Sequence, residues 1–261
     1  MRALLMAGCA GLMAIACVSS QAAVAPNIHD LNIPDYVAKA LEDPRRPAEQ
    51  RARDPVRKPA ELLAFSGVKP GDAVADIYSG GAYYTRILSA VVGPKGRLYA
   101  MIPAEMARNC DPSEFAGAHQ VERDRSYANV AVLTEPAEML ATPQRLDVIW
   151  SSQNYHDLQD SFMDGAKAAV ADRAFYRALK PGGVLMVIDH VAEPGSGRRD
   201  SDTLHRIDPL QIRKELKAAG FVFVAESSVL RNPDDDHRLR VFDPKIRGRT
   251  DQVAFKFKKP G

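Results

Sequence analysis

The segment from Lys69 to Leu88, KPGDAVADIYSGGAYYTRIL, restricts the fold more than any other part of the chain. Ala73 to Ile77 is small or branched and apolar up to Asp76, as a buried parallel strand requires, and Lys69-Pro70-Gly71-Asp72 supplies a turn before it. Gly80 and Gly81 then let the backbone turn tightly. From Ala82 the pattern becomes helical, with Tyr84, Ile87, Leu88 and Val91 on one face, so the free amides of a helix N-terminus point at the turn. A carboxylate or phosphate suits such a place, and Asp76 stands at the carboxyl end of the strand, where open α/β sheets contact ligands. The same residues also suit a plain strand-to-helix turn capped by Asp76. Tyr84 shares the face of Leu88 and Val91 and is expected in the core, which leaves Tyr83 to point toward a ligand.

The N-terminus, MRALLMAGCAGLMAIACVSSQAAVA, carries one charge at Arg2, an apolar run through Val18, and small residues at Ser20, Ala22 and Ala23. This pattern reads as a secretory signal peptide over residues 1–22, not as a membrane span, and places the protein in the periplasm or outside the cell. Lipidation at Cys17 is a competing reading. About 240 residues then remain, enough for one α/β domain. Of the three cysteines only Cys110 lies beyond the leader, so the mature chain forms no internal disulfide. The formal charge of +2 gives no support for nucleic-acid binding.

Residues 23–57 read as an N-terminal arm with one brief helix, lying over the ligand edge of the sheet, its arginines near Arg45-Arg46 and Arg51–Arg53 solvated. Pro59 to Phe65 reads as a helix with proline in its first turn. Further strands are expected at Arg97 to Ile102, Asn129 to Leu133, Leu146 to Ser151, Val184 to Ile188, Phe221 to Val229 and Gln252 to Phe257, with helices over Phe162 to Leu179 and Pro209 to Ala219. The strand–helix–strand order implies a right-handed crossover and parallel pairing.

VADIYSGGAYYT, LDVIWS and YRALKPGGVLMVIDH together resemble the class I S-adenosylmethionine-dependent methyltransferases over nearly all of Lys58 to Pro260. DPVRKPAELLAFSGVKPGD, GGAYYTRILS, SSVLRNPDDDH and RGRTDQVAFKFKKP narrow the likeness to a group of exported bacterial proteins described only as predicted methyltransferases. The resemblance implies a Rossmann-like three-layer sandwich over residues 58–261, a mostly parallel seven-stranded sheet with a C-terminal antiparallel hairpin. It also implies S-adenosylmethionine as cofactor, bordered by Asp76, Gly80 and Gly81, and a small-molecule methyl acceptor. Three family places are altered. The second strand ends in Met101-Ile102-Pro103 where an acid usually holds the ribose, leaving Glu105 on the next helix; Glu135 or Glu138 stands for the acid that reaches the adenine amine. Tyr78 occupies a usual glycine place and would narrow the pocket.

Ser151-Ser152-Gln153-Asn154-Tyr155-His156-Asp157 follows the fourth strand at the carboxyl edge. His156 is the candidate base, with Asp157 or Tyr155 orienting ring or substrate; a capping or packing role suits it equally. Asp189-His190 ends the fifth strand on the same edge. No compact motif such as H-x-x-x-H assigns metal ligands, although a metal-assisted enzyme using His156 and His190, with Asp157 and Glu193 nearby, is an alternative. A second alternative is a periplasmic binding protein with contacts from Tyr78, Tyr83 and His156. His205 and His237 read as surface groups, and Asp234-Asp235-Asp236 as a solvated hairpin turn. No G-x-S-x-G elbow is present and Cys110 has no nearby histidine, so nucleophilic hydrolase chemistry is unsupported.

Overall fold

The computed structural model describes residues 32–164 and 167–261. The signal-peptide reading of residues 1–22, with Cys17, lies outside them.

Seven strands form one sheet: β1 (Ala73–Ile77), β2 (Arg97–Pro103), β3 (Val130–Glu135), β4 (Leu146–Ser152), β5 (Leu179–His190), β6 (Val222–Ser227) and β7 (Gln252–Lys258), in the order β3-β2-β1-β4-β5-β7-β6. Strands β3, β2, β1, β4 and β5 run parallel, and β7 is antiparallel to both β5 and β6. The fold is the expected Rossmann-like sandwich.

Side chains alternate between two covered faces, as a parallel sheet buried on both sides demands. On β1, Ala73, Ala75 and Ile77 join one core with Tyr99, Ile149, Leu185 and Phe255, while Val74 joins the other with Leu98, Val148, Trp150 and Met186. Tyr84 packs its ring 4.8 Å from Trp150, so the helical face inferred for it is indeed core.

The helices are α1 (Asp35–Leu41), α2 (Ala48–Arg51), α3 (Asp54–Arg57), α4 (Pro59–Ser66), α5 (Tyr83–Val92), α6 (Ala104–Asn109), α7 (Ala116–Arg123), α8 (Ala168–Ala178), α9 (Ser201–Leu204) and α10 (Pro209–Ala218). Three short helices thus replace the single one expected in the arm. The helix expected from Phe162 begins only at Ala168, after a 3₁₀ turn at Ser161–Met163, and strand geometry already starts at Leu179, which pairs with Leu146 before a bulge.

Chain direction decides where a site can lie. From β1 the chain builds outward through β2 and β3; from β4 it builds the other way through β5. The carboxyl ends of β1 and β4 therefore flank the point where the strand order reverses, the crevice that open α/β sheets use for ligands.

Candidate functional site

Beyond Ile77 the backbone enters the left-handed region three times, at Tyr78 (φ 58°), Gly80 (φ 40°) and Ala82 (φ 60°). For a tyrosine this is costly, and such outliers persist where the surroundings hold them. Here Ser79 N–H donates to the Met101 carbonyl (3.1 Å) and Ala82 N–H to the Ser79 carbonyl (2.7 Å). The turn presents α5 to a cavity of about 240 Å³ lined by Arg53, Arg57, Asp76, Ser79, Tyr83 and Asn154, among others.

Asp76 accepts a hydrogen bond from Thr85 Oγ1 at 2.6 Å, and burial pushes its carboxyl up to about 7 against that bond and the Arg57 charge. Arg57 donates to Gln153 Oε1 and lies 4.7 Å over the Tyr83 ring. Arg53 stands at the exposed rim, where partial burial and the Arg57 charge hold its guanidinium below the ordinary value. Among the described residues neither arginine forms a salt bridge. Two cations over a buried acid, with Ser79 Oγ buried and unpartnered beside them, form a receptor for a group bearing both charges.

The other candidates on this side serve the protein itself. Tyr83 lines the cavity, but its hydroxyl donates to Asp54 Oδ1 at 2.6 Å. The Tyr78 ring belongs to the buried cluster of Met101, Met106 and Phe115, with its hydroxyl unpartnered. Glu105 Oε2 accepts from Ala137 N–H (3.0 Å), Glu135 Oε2 from Ala141 N–H (2.9 Å) and Glu138 Oε1 from Lys167 N–H (2.8 Å). Over the glycine turn lies the start of α7: Ala118 N–H donates to the Gly80 carbonyl at 3.2 Å, and a Cβ on Gly117 would fall 2.4 Å from the Gly81 carbonyl oxygen.

At the ends of β4 and β5 the chemistry is different. His156 Nδ1 donates to Asp189 Oδ1 (2.7 Å), its backbone N–H donates to Asp189 Oδ2 (2.9 Å), and its Nε2 lies 2.9 Å from Asp157 Oδ1. Burial alone would lower the histidine, but the two carboxylates outweigh it and raise its pKa well above the ordinary value. The two carboxylates thus favour the imidazolium over the free base expected from its position. Burial would likewise raise Asp157, yet His156 holds it down to about 2, while burial and the Asp157 charge push Asp160 up to about 7.

Tyr155 points away from this group. Its hydroxyl meets Asp172 Oδ1 and Oδ2 (3.1 Å each) and Glu215 Oε2 (2.9 Å), so it orients neither ring nor cavity. His190 ends β5 as expected, but burial lowers it to about 3 and its Nδ1 bonds Thr250 Oγ1 at 2.8 Å. Glu193 is engaged by Arg199 and Arg238.

Several surface readings need correction. His205 lies against His156, Nδ1 to Nε2 at 3.3 Å, because the left-handed residue that ends α9 turns its ring inward. His237 is half-buried and its Nε2 meets Asp251 Oδ2 at 3.1 Å. Asp235 is buried and held by Arg206, with contacts of 2.8 and 3.1 Å. Arg46, placed in a solvated leader, is 1% exposed and grips both Asp54 oxygens. Arg53, Arg57 and Asp160 were not assigned to a site; the i, i+4 spacing of the two arginines just ahead of the domain is the signal that could have found them.

No protein-family model matches the chain. Solved structures resemble it closely in architecture: a SAM-dependent methyltransferase from Aquifex aeolicus superposes with a TM-score of 0.58 at 20% identity, covering 85% of this chain and 97% of that one. The chain has the class I methyltransferase fold. The cyclase SpnF shares it as well, with a TM-score of 0.57, 17% identity and coverage of 84% and 85%, so the fold by itself leaves the reaction open. Among curated sequences, the ubiquinone/menaquinone biosynthesis C-methyltransferase UbiE of Enterobacter sp. (strain 638) is 27% identical over 175 residues, 66% of this chain and 64% of the relative. UbiE of Escherichia coli O1:K1 / APEC is 28% identical over 176 residues with the same coverage. The chain thus spans just under two thirds of the length of these relatives.

Proposed function

We propose that this protein binds S-adenosylmethionine and transfers its methyl group to a small molecule, as a member of an exported, methyltransferase-like group working in the periplasm or outside the cell. The carrying observation is the cavity in which Arg53 and Arg57 face the buried carboxyl of Asp76 across the glycine turn. The fold and the naming of the UbiE relatives as C-methyltransferases support the same reading. Export rests on the N-terminal pattern of Arg2, apolar run and small residues.

The residues fit the amino-acid end of the cofactor. Arg53 and Arg57 hold its carboxylate, and Asp76, once paired with its ammonium, returns to the charged state. When bound, the sulfonium supplies an already activated methyl group, so the protein contributes mainly alignment. Because both ring nitrogens of His156 are engaged, Nδ1 by Asp189 and Nε2 by Asp157, the acceptor is a group nucleophilic without this histidine as base. A whole nucleoside needs more room than the cavity of about 240 Å³, since ligand pockets run to about 300–1,000 Å³.

That volume also favours a second reading, an exported binder of a small zwitterion. Calorimetric titration with S-adenosylmethionine, S-adenosylhomocysteine and free methionine separates the two. Micromolar binding of the nucleoside compounds, about −8 kcal/mol, is the expected result. Binding of methionine alone supports the binder, and no heat with any of the three overturns both.

A further inference from the structure

Four side chains converge where the turn after β4 meets the end of α9. His156 Nε2, Asp157 Oδ1, Asp160 and His205 Nδ1 each offer one ligand atom, all within 4.8 Å of one another. The measured separations are 2.9 Å from His156 Nε2 to Asp157 Oδ1, 3.3 Å from His156 Nε2 to His205 Nδ1, 3.6 Å from His205 Nδ1 to Asp160 Oδ2 and 3.7 Å from His205 Nδ1 to Asp157 Oδ1. Ligands bound at about 2.0–2.1 Å around a tetrahedral ion lie about 3.3–3.4 Å apart. Those four separations, 2.9 to 3.7 Å, bracket that spacing, and no pair in the cluster exceeds 4.8 Å.

A second observation points to a missing partner. The Asp160 side chain is fully buried, yet neither of its carboxylate oxygens has a hydrogen-bond partner. A buried carboxylate left in this state is rare and calls for a cation or a proton. The backbone explains why it stays: Asp160 N–H donates to the Asp157 carbonyl at 3.0 Å and the Met163 N–H donates to the Asp160 carbonyl, which fixes the residue at the hinge of two 3₁₀ turns.

The geometry points to a closed, tetrahedral divalent-metal site of the zinc type, with His156, Asp157, Asp160 and His205 as its four ligands. On binding, His156 gives up its Nε2 proton to solvent, and two neutral imidazoles with two carboxylates then neutralise a dication, as a buried site requires. Asp189 supplies the outer support: by accepting the His156 Nδ1 proton it aims the Nε2 lone pair into the cluster, the carboxylate–histidine–metal arrangement. His205 must carry its proton on Nε2 when Nδ1 binds metal, which displaces Arg240 Nη2, now 3.1 Å away on an exposed side chain. His190 is outside the set, since its Nδ1 is committed to Thr250. Four protein ligands leave no open position, so the ion acts as a staple between the 156–160 turn and the 201–205 segment, not as a Lewis acid. The site stands whether or not the chain transfers methyl groups.

The test uses untagged protein, stripped with chelator and titrated with Zn²⁺ and with Co²⁺. Expected are one Zn²⁺ per chain by elemental analysis and visible Co²⁺ bands of tetrahedral intensity. His205→Ala removes a ligand near the surface and Asp160→Asn removes the orphaned charge; each lowers Zn²⁺ affinity by more than the about 10–100-fold that loss of an outer-shell partner costs, whereas His119→Ala, at a half-buried histidine paired with Glu122 on α7, leaves it unchanged. Circular dichroism verifies that the variants are folded, and either one suffices if the other is not. Absence of stoichiometric Zn²⁺ in the parent protein, or parent-like affinity in a folded ligand variant, overturns the assignment.

Discussion

The crevice at the carboxyl edge contains two charged regions built on opposite plans. At the β1 end, cations outnumber the acid: Arg53 and Arg57 stand over Asp76 without a salt bridge among the described residues, and a cavity separates them. At the β4 and β5 ends, acids outnumber the cation: Asp157, Asp160 and Asp189 surround His156 and His205 with side chains in contact. Open space faced by charge is how a protein receives an organic ligand, whereas side chains in mutual contact tie its own segments together, directly or through an ion. The first region is the receptor and the second is framework.

If that contrast is right, breaking the framework has the largest effect. Asp189→Ala leaves the buried His156 Nδ1 and backbone N–H without their acceptor and is expected to lower stability by about 3–5 kcal/mol, read as a shift of the urea midpoint at unchanged m-value. Asp76→Asn should do the reverse. The folded state keeps the Asp76 proton between pH 3.8 and about 7 while the unfolded chain has lost it, so stability falls as pH rises through that window. The asparagine variant removes this fall, and at pH 8 it is expected to be more stable than the parent by about 4 kcal/mol, while its affinity for S-adenosylhomocysteine drops. A denaturation series from pH 4 to 8 with parallel slopes for both proteins would refute it. The smallest effect is at the rim: Arg53→Ala should weaken S-adenosylhomocysteine binding about tenfold, or 1.4 kcal/mol, with the urea midpoint unmoved. A midpoint shift without an affinity change would make Arg53 part of the framework and erase the distinction.

Much of the sheet was legible because its strands are largely apolar runs, the clearest of them bounded by Pro-Gly and Gly-Gly turns, as around Ala73 to Ile77 and before Val184. Alanine content misled at α8. Ala166 to Ala171 extends the helical pattern backward, but the helix can begin only at Ala168, after the 3₁₀ turn and the left-handed Asp164. Of the site, the carboxyl edge and His156 were readable from strand ends alone. His205 was not, because nothing in the polar stretch around it records that a left-handed residue turns its ring toward a segment far back in the chain. The protonation of His156 was hidden for a related reason: its neighbours Asp157 and Asp189 come from different elements, and only their joint distance decides the charge.

The apposition of α7 and the glycine turn changes which glycine the fold most needs. A Cβ at Gly81, in the motif that first draws the eye, would meet nothing within 4 Å, whereas one at Gly117 would strike the Gly81 backbone. Substitution is therefore sterically freer at Gly81, inside the motif, than at Gly117, outside it. A search for functional relatives of this chain that weights the motif alone will score the wrong glycine, and one that also asks for a bare backbone at 117 will find the proteins that share its closed turn.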